Sequence, residues 1–429
     1  MSHAIKMQAK SRPAPSAARS GAAGGWIYST RLHVVLYSAL LVATPFVILQ
    51  NYLQQSISAL SRASIELGSL SIPVVPAMAL AVAVFLFVVY RTRITRRMLA
   101  AGGVALLMAA LAQQFTDYYA AHRFYDLQQN WHYIAYAIFA FMMYRDLDPR
   151  GLPLHRIILI TFFCALLYSS FDEAFQKQMS SRVFDISDIA KDAWGSVIGI
   201  TLLVIGGRHG ESNIAGFRQL RHKRLSDYTR HPATLLVLMA VGTLLLLMIG
   251  SLLTDFEYLS TAVLLSAGVF AVFLLVFHCS QYRICGYALF GLFVIGVAVQ
   301  SYFYFTYRDD GIIHNRYGLT IYEGIPIPFF DVMFFPGGTF RLVDKKHDFN
   351  QLDREFFLKQ ETDILLIGCG SQNRGGNGFP RKSPCQFLYN PHKQRGTQVI
   401  LQPTPQACET FNRLKQEGKS VLFILHNTC

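Results

Sequence analysis

Polar and charged side chains gather between two apolar segments near the middle of the chain. The cluster comprises Glu173, Gln176, Arg182, Asp185, Asp188 and Asp192, and it runs into a segment that contains Gly195 and Gly199. Charged groups at the edge of an apolar segment are costly to desolvate, so such a cluster normally has partners or a ligand. We therefore predict a binding site for a polar headgroup or a cation, with Arg182 as the contact for an anionic group.

Two other interpretations use the same side chains. Glu173, Asp188 or Asp192 could act as a general acid or base if its pKa suited proton transfer, which would make the cluster catalytic. Arg182 could instead pair with Glu173 or Asp185 and offset their desolvation, so that the cluster only joins two helices. Binding, catalysis and a structural ion pair therefore all stay open.

The spacing places part of the cluster on one helix face. Acids and small residues recur at Asp188, Asp192, Gly195, Ser196 and Gly199, with the acids at the outer end. Glycines four residues apart let a second helix approach closely. The second apolar segment is thus predicted to pack tightly against another helix.

His132 begins an earlier apolar segment, in the sequence Trp131-His132-Tyr133-x2-Tyr136. Aromatic residues at the end of a span are typical of a membrane interface, where the histidine would only be satisfied by its neighbours. Alternatively, His132 lies beside the acidic cluster and belongs to its site.

Apolar segments must position these residues. The chain has 429 residues, of which 52% are hydrophobic and 15% are charged, against roughly 25% charged residues in soluble domains. Nine segments approach the ~20 residues that a helix needs to cross a bilayer, and they lie at 32–51, 72–90, 98–114, 129–144, 155–171, 188–206, 233–253, 259–277 and 284–305. The predicted fold class is a multi-pass α-helical membrane protein of about nine spans, with a small C-terminal α/β domain.

The net charge of +13 follows the same segments. Basic residues fill alternate connections, at 91–97, 145–156 and 208–230, while the other connections hold few. Because basic connections stay in the cytoplasm, this pattern places the N-terminus inside and, with nine spans, the C-terminal region outside. One miscounted span would reverse that last assignment. Topology also accounts for the basic charge, so no nucleic-acid partner is predicted.

Composition divides the chain into five regions. They are a disordered basic tail (1–30), a helical membrane domain (31–207), a basic cytoplasmic linker (208–232), three further spans (233–306) and an α/β domain (307–429). The tail has no acidic residue, which suits a cytoplasmic segment or else a mitochondrial transit peptide. We therefore expect a bacterial inner-membrane protein, with the mitochondrial inner membrane as the alternative.

The pattern after 307 predicts alternating strands and helices. Hairpins are expected over 319–328 and 331–342, a helix over 353–359, and strands at 364–367, 398–401 and 421–425. Thr404 followed by Pro405 indicates an N-cap and the start of a helix that Gly418 ends. A strand, a helix and a strand of these lengths predict a parallel crossover.

The carboxyl ends of parallel strands border a crevice in such a domain. Gly368, Cys369, Gly370 and Thr404 would line it, where backbone N–H groups could hold an anion or a nucleotide, or the glycines could simply form turns. Cys369 could be a nucleophile or a buried structural thiol. The even number of cysteines in this region permits disulfides. Metal-type spacing of His and Cys is absent, so neither zinc nor another cofactor is predicted.

The central stretch resembles the VanZ-like membrane protein family over about 72–206. The cluster from Glu173 to Asp192, the two glycines, and His132 with Tyr136 carry the resemblance. The chain departs from the family pattern at Asp192, where Asn is usual, and at 129–130, where it has Gln-Asn instead of Asp-Lys. The resemblance implies a cell-envelope membrane protein with a polar site for a membrane lipid or envelope precursor and a role in teicoplanin resistance.

The last region resembles the Mth-type domain of adipogenesis-associated proteins over about 314–429. The matching motifs are 363–370, Thr404 with Ala407, 411–418 and the ending at 425–429. This resemblance implies a compact α/β fold and a non-enzymatic role in the assembly or scaffolding of a membrane protein complex. Two functions are thus expected: headgroup binding at the cluster and, as the alternative, scaffolding through this domain.

Overall fold

The computed structural model describes residues 29–48, 56–57, 59–61, 63–68, 70–115, 127–177, 184–207, 210–371, 373–380, 386–390 and 394–428. These residues form a helical part that ends at Tyr307 and an α/β domain that follows it. Nearly all of the predicted tail over 1–30 lies outside the described residues, and so does Arg182.

Long apolar helices make up most of the helical part. Its elements are α1 (Thr30–Ile48), β1 (Ser64–Leu67), β2 (Leu70–Pro73), α2 (Val74–Tyr90), α3 (Arg96–Ala112), α4 (Leu127–Leu147), α5 (Leu154–Gln176), α6 (Ile186–Gly206), α7 (Gly210–Gly216), α8 (Leu225–Arg230), α9 (Pro232–Leu252), α10 (Leu259–Cys279) and α11 (Arg283–Tyr307). An apolar stretch favours a helix because a helix satisfies its own backbone hydrogen bonds. Each apolar segment of the sequence coincides with one of the long helices.

Six stretches of the described residues are long and apolar enough to cross a membrane. They are Arg96–Phe115, Leu154–Gln176, Ile186–Gly206, Pro232–Leu252, Phe256–Cys279 and Arg283–Tyr307. The apolar parts of α1 and α2 are shorter, and α4 has polar residues close to both of its ends. The count of nine spans therefore stays a prediction.

Helix α6 lies at the centre of the helical part, against α3, α4, α5 and α9. Of its most apolar stretch 83% is buried inside the protein, against none of the corresponding stretch of α11. Gly195 and Gly199 permit this packing, because a Cβ built on them would lie 2.8 Å from the Cα of Tyr133 and 2.7 Å from the Cα of Ala137. The close approach predicted from the glycine spacing is thus present, and the approaching helix is α4.

The basic connections meet at one end of the helices. Thr30 at the start of α1 donates a hydrogen bond from its Oγ1 to Asp146 at the end of α4, at 2.8 Å. Leu154, at the start of α5, packs in one apolar cluster with Phe217 and with Leu235 near the start of α9. This end therefore collects the starts and ends of helices whose connections carry most of the arginines.

The opposite end is built around the connection between α9 and α10, here called the 253–258 loop. The carbonyl of Thr254 accepts a hydrogen bond from the N–H of Ile186 at 3.0 Å. Phe256 meets Phe184 edge to face at 5.0 Å between ring centres, and Lys177 Nζ lies 3.2 Å above the Phe256 ring. The loop therefore fastens the end of α5 and the start of α6, which carry the acidic cluster.

The described part of the α/β domain contains nine strands and two helices. They are β3 (Ile312–Arg316), β4 (Leu319–Tyr322), β5 (Ile325–Pro328), β6 (Asp331–Phe334), β7 (Phe340–Val343), α12 (Gln351–Lys359), β8 (Ile364–Gly368), β9 (Gln386–Asn390), β10 (Arg395–Gln402), α13 (Thr404–Gln416) and β11 (Val421–Leu425). Strands β3 to β5 form an antiparallel sheet, and the other six form a mixed sheet of order β7-β6-β11-β8-β10-β9. Because β8 pairs in parallel with both β10 and β11, the predicted crossover through α13 is present.

Each face of the six-stranded sheet has its own apolar core. On one face, Phe411 of α13 packs against Phe334 and Phe423. On the other face, Phe357 of α12 packs with Phe349. Strands β8 and β11 are buried on both faces, which explains why each reads as a continuous apolar run rather than an alternating one.

The prediction for this domain differs from the structure locally. Strands β3 and β9 have no counterpart in it, and Thr404 is not the N-cap of α13, because Pro403 takes that position without a capping side chain. The buried hydroxyl of Thr404 instead accepts a hydrogen bond from Gly370 N–H and donates one to the carbonyl of His426, each at 2.9 Å. A buried hydroxyl needs partners, and two strand ends supply them here.

The α/β domain contacts the helical part through the 253–258 loop. Tyr258 Oη lies 3.3 Å from Thr428 Oγ1, and Lys345 Nζ lies 4.8 Å from the centre of the Tyr258 ring. Phe330 packs against the apolar cluster formed by Phe184, Ile186 and their neighbours. The domain therefore lies at the same end of the helices as the acidic cluster.

Candidate functional site at the acidic end of the helices

Asp192 of α6 is the innermost member of the cluster and is 2% exposed. Its Oδ1 lies 2.8 Å from Nδ1 of His132 on α4, and its Oδ2 accepts a hydrogen bond from Ser169 Oγ on α5 at 2.7 Å. A buried carboxylate needs partners for both oxygens, and two neighbouring helices supply them. His132 therefore lies beside the acidic cluster, so a position in an aromatic belt does not by itself account for its contacts.

Asp188 and His132 form the more accessible part of the cluster. Lys191 Nζ donates a hydrogen bond to Asp188 Oδ1 at 2.7 Å, and His132 Nε2 lies 3.6 Å from the same oxygen. His132 is thus held between the carboxylates of Asp188 and Asp192. The side chains of His132 and Asp188 are 23% and 25% exposed, against 6% for Lys191, so a ligand would approach from their side.

Glu173 fastens the connection between α5 and α6. Its Oε1 accepts a hydrogen bond from Gln176 Nε2 at 2.9 Å, and its Oε2 accepts one from the N–H of Asp185 at 3.0 Å. Asp185 is the N-cap of α6 and accepts a hydrogen bond from the N–H of Ser187 at 2.7 Å. These contacts give Glu173, Gln176 and Asp185 a positioning role behind the pair of Asp188 and His132.

Sequence reasoning does not find Ser169, Lys191 or Tyr133. The hydroxyl of Tyr133 is buried without a hydrogen-bond partner in the described part of the chain, and it interacts electrostatically with Lys191 and Asp188. One signal was available, because Lys191 follows Asp188 by three residues, a spacing that pairs side chains on a helix. The predicted ion pair of Arg182 lies outside the described residues, whereas Lys191 supplies a buried cation within them.

Among the described residues, the geometry does not favour a metal centre. The described residues contain no group of three or more His, Cys, Asp or Glu side chains that could hold a metal ion. Carboxylates accept hydrogen bonds and histidine exchanges protons, so the arrangement can bind a donor-rich polar group or pass a proton between His132 and a bound molecule.

A second polar centre lies inside the α/β domain, at Asp331. Its Oδ1 accepts hydrogen bonds from Lys345 Nζ at 3.1 Å and from the N–H of Asn427 at 2.8 Å, and its Oδ2 lies 2.6 Å from Nδ1 of His426. Burial alone would raise the pKa of Asp331, but the charges of Lys345 and His426 and these hydrogen bonds outweigh it and lower the pKa to about 2. Asp331 therefore stays ionised and ties the last residues of the chain to β6.

Two histidines connect this centre to the helical part. The rings of His347 and His426 stack at 5.5 Å, and His347 Nδ1 lies 3.9 Å from Asp255 of the 253–258 loop. Burial and the charge of His426 lower the pKa of His347. Nε2 of His426 is buried without a hydrogen-bond partner among the described residues and faces Gly375, where a built Cβ would lie 2.9 Å away.

The residues predicted to line a crevice meet at the end of β8 but bond to one another. The N–H of Gly370 donates to Thr404 Oγ1, and the N–H of Thr404 donates to the carbonyl of Gly370 at 3.2 Å. A Cβ built on Gly368 would lie 3.1 Å from Thr404 Oγ1. Because these two N–H groups are engaged within the domain, they offer an anion no donors, and the geometry favours turn glycines.

The described cysteines of this domain are buried thiols. Cys369 is 1% exposed, and its Sγ would lie 2.9 Å from a Cβ built on Gly376. Cys408 is buried as well, which raises the pKa of its thiol to about 12. Neither forms a disulfide, and Cys385 and Cys429 lie outside the described residues. Burial of this kind is typical of structural rather than reactive thiols.

Comparison with known proteins gives one family, in the α/β domain. Residues 329–426 match the family described as "Protein of unknown function (DUF498/DUF598)". A solved structure titled "MT938" is similar at 19% identity over 28% of this chain and 98% of that chain, with a TM-score of 0.22. No curated protein matches, and no VanZ family match accompanies the resemblance over 72–206.

Proposed function

We propose that the helical part spans a membrane. The support is the set of six apolar stretches of membrane-spanning length and, above all, α11, whose most apolar stretch has no residue buried by the described part of the chain. Exposed apolar surface of that size is unfavourable in water and favourable in lipid. The basic end would face the cytoplasm by the positive-inside rule, which leaves the acidic cluster and the α/β domain on the outer side.

The function that the site supports best is binding of a lipid or another polar headgroup at the acidic cluster, in a VanZ-like role at the cell envelope. One observation carries this proposal: Asp192, His132 and Ser169 join three helices around a buried carboxylate, and the same histidine reaches Asp188 at the accessible edge. Charged groups in that position are expensive to bury and normally serve a substrate or ligand. The resemblance to the VanZ-like family over 72–206 is also the basis for proposing a bacterial inner membrane as the location and an envelope precursor as the ligand.

The test uses variants of two residues of the cluster in the full chain. Asp188→Asn and Arg182→Ala should insert normally but lose binding of membrane lipid and alter sensitivity to the glycopeptide teicoplanin. Asp309→Asn is the matched control, since that carboxylate is 91% exposed and lies after the last helix. Normal insertion of both variants together with unchanged lipid binding and unchanged sensitivity would refute the site.

A scaffold role for the α/β domain is the second candidate. Strand β9 forms an edge of the six-stranded sheet and exposes Phe387 and Tyr389, at 62% and 59%. An edge strand with exposed aromatic side chains can pair with a strand of another protein. If the chain assembles a membrane complex through this edge, the full chain should co-purify with that complex, and Phe387→Ser with Tyr389→Ser should abolish co-purification while Asp188→Asn does not.

A further inference from the structure

We propose that the ligand of the acidic cluster carries a primary ammonium group, such as the headgroup amine of an ethanolamine lipid. This inference rests on the proposed function and narrows its ligand. Arg182 remains the predicted contact for an anionic group. In this proposal such a group is a secondary part of the bound molecule, and the ammonium group is the part that is recognised.

The first argument is the sign of the charge. Asp172, which accepts a hydrogen bond from Gln176 Nε2 at 3.2 Å, adds a fifth carboxyl group to the four of the cluster, and Lys191 and His132 are the bases in ion-pair contact with these acids. Adding Lys177 and Arg182 raises the bases to four, so acid still exceeds base when every group is charged. A ligand that brings a positive charge and hydrogen-bond donors is therefore favoured over an anionic one.

The second argument is the unused hydrogen-bond capacity. Tyr133 is 5% exposed, and its hydroxyl has no hydrogen-bond partner in the described residues although it interacts electrostatically with Lys191 and Asp188. A buried hydroxyl without a hydrogen-bond partner is unfavourable, so a ligand that bonds to it gains free energy. A primary ammonium group has three donors and no acceptor. It would complement one phenol oxygen and the carboxylate of Asp188, which a quaternary ammonium cannot do by hydrogen bonding.

The third argument favours a lipid as the source of the amine. Trp131 beside His132 is 42% exposed, and Phe171 and Phe175, which flank Asp172 and Glu173 on α5, are 62% and 46% exposed. Polar side chains therefore alternate with outward apolar ones along the rim of the cluster. A molecule that joins an amine to an acyl chain satisfies both surfaces.

Binding is best measured through Trp131, because this residue adjoins the site. The full chain in detergent is titrated with phosphatidylethanolamine that carries a nitroxide on its acyl chain, and quenching of tryptophan fluorescence is followed. Trp131→Phe supplies the background. Phosphatidylglycerol and phosphatidylcholine with the same label complete the series, and free ethanolamine is added as a competitor. We expect saturable quenching by phosphatidylethanolamine, with binding of the other two lipids at least about tenfold weaker, or about 1.4 kcal/mol.

Two variants connect the binding to the cluster. Tyr133→Phe removes one oxygen and breaks none of the described hydrogen bonds, so it should fold normally and weaken phosphatidylethanolamine binding several-fold. Asp188→Asn should weaken it about tenfold or more, and Asp309→Asn should leave it unchanged. If Asp188→Asn fails to fold, the lipid series on the unaltered chain and Tyr133→Phe still decide the question.

The outcomes separate the two proposals. Equal binding of phosphatidylglycerol, weakened by Asp188→Asn, overturns the ammonium inference but leaves headgroup binding intact. Quenching that neither variant changes overturns both. Displacement of the lipid by millimolar ethanolamine supports recognition of the amine itself. Saturable binding of ethanolamine without any lipid binding would keep the ammonium ligand and remove the lipid from the proposed function.

Discussion

At the scale of single residues, Asp331 is the central charged group of the α/β domain. It is fully buried and paired with Lys345, and it also holds the N–H of Asn427. Removing one partner of a buried ion pair costs about 3–5 kcal/mol, because the other charge is left uncompensated. Asp331→Asn should therefore strongly lower the free energy of unfolding of this domain. Hydrogen exchange in β6 and β11 measures that loss. Asp363→Asn, which breaks a half-exposed ion pair with Arg395, should change stability by less than about 1 kcal/mol.

The lowered pKa of Asp331 also predicts a pH dependence. The folded value of about 2 lies below the value of about 4 for an unfolded chain, so the folded state binds this proton less readily. Its contribution, roughly 2–3 kcal/mol, is complete above about pH 4 and is lost as the pH falls toward 2. Hydrogen exchange in β11 between pH 5 and pH 2 should show this loss. In Asp331→Asn that part of the dependence should be missing, and an unchanged profile would contradict the assignment.

At the scale of elements, the pairing of α4 with α6 decides whether His132 reaches Asp192. Gly199→Ala would place a Cβ 2.7 Å from the backbone of Ala137, and a helix backbone cannot yield locally. The two helices should separate, at a cost of about 1–3 kcal/mol, and lipid binding should fall with stability. Gly268→Ala on α10, where a Cβ would meet nothing within 4 Å, is the control. Equal unfolding midpoints for the two variants would contradict the packing.

Elements with a strong periodic signal could be predicted from the sequence, and the others could not. Each long apolar segment is a helix, and the runs at β8, β11 and α13 lie close to their predicted positions. Strand β9 escapes prediction because it is an edge strand whose exposed side carries the aromatic residues, so it has no buried apolar run. The sequence places Thr404 near Gly370, but its hydrogen bond to the carbonyl of His426 escapes because a backbone carbonyl distant in sequence leaves no pattern.

The candidate site also combines residues that could be predicted from the sequence with residues that could not. Its acidic members are visible as a charged run beside an apolar helix, and the glycine spacing indicates a close partner helix. Ser169 is invisible because one serine on an apolar helix has no distinctive pattern, and only the packing of α5 on α6 brings it to Asp192. Tyr133 looks like one of many aromatic residues until its hydroxyl is found buried without a partner.

At the scale of the whole molecule, the 253–258 loop holds the α/β domain on the helices. Tyr258 contributes its hydroxyl to Thr428 and its ring to Lys345. Tyr258→Phe removes only the hydroxyl contact, whereas Tyr258→Ala removes both. Hydrogen exchange at 343–347 and 421–428 should therefore rise slightly in the first variant and clearly in the second. No change in Tyr258→Ala would mean that other contacts dock the domain.

If the helical part spans a membrane as proposed, the same contacts predict which parts of the chain share a side of it. Four long helices, α6, α9, α10 and α11, lie between the acidic cluster and the α/β domain, so an even number of crossings returns the chain to its starting side. This relation does not depend on how many spans precede α5. Single cysteines at Lys177 and Asp309, in a chain without its native cysteines, should react with a membrane-impermeant maleimide from the same side. A cysteine at Arg221 should react from the opposite side, which the positive-inside rule assigns to the cytoplasm. Labelling of Lys177 and Asp309 from different sides would contradict the docking of the domain, whereas inversion of all three would reverse the orientation and leave the docking intact.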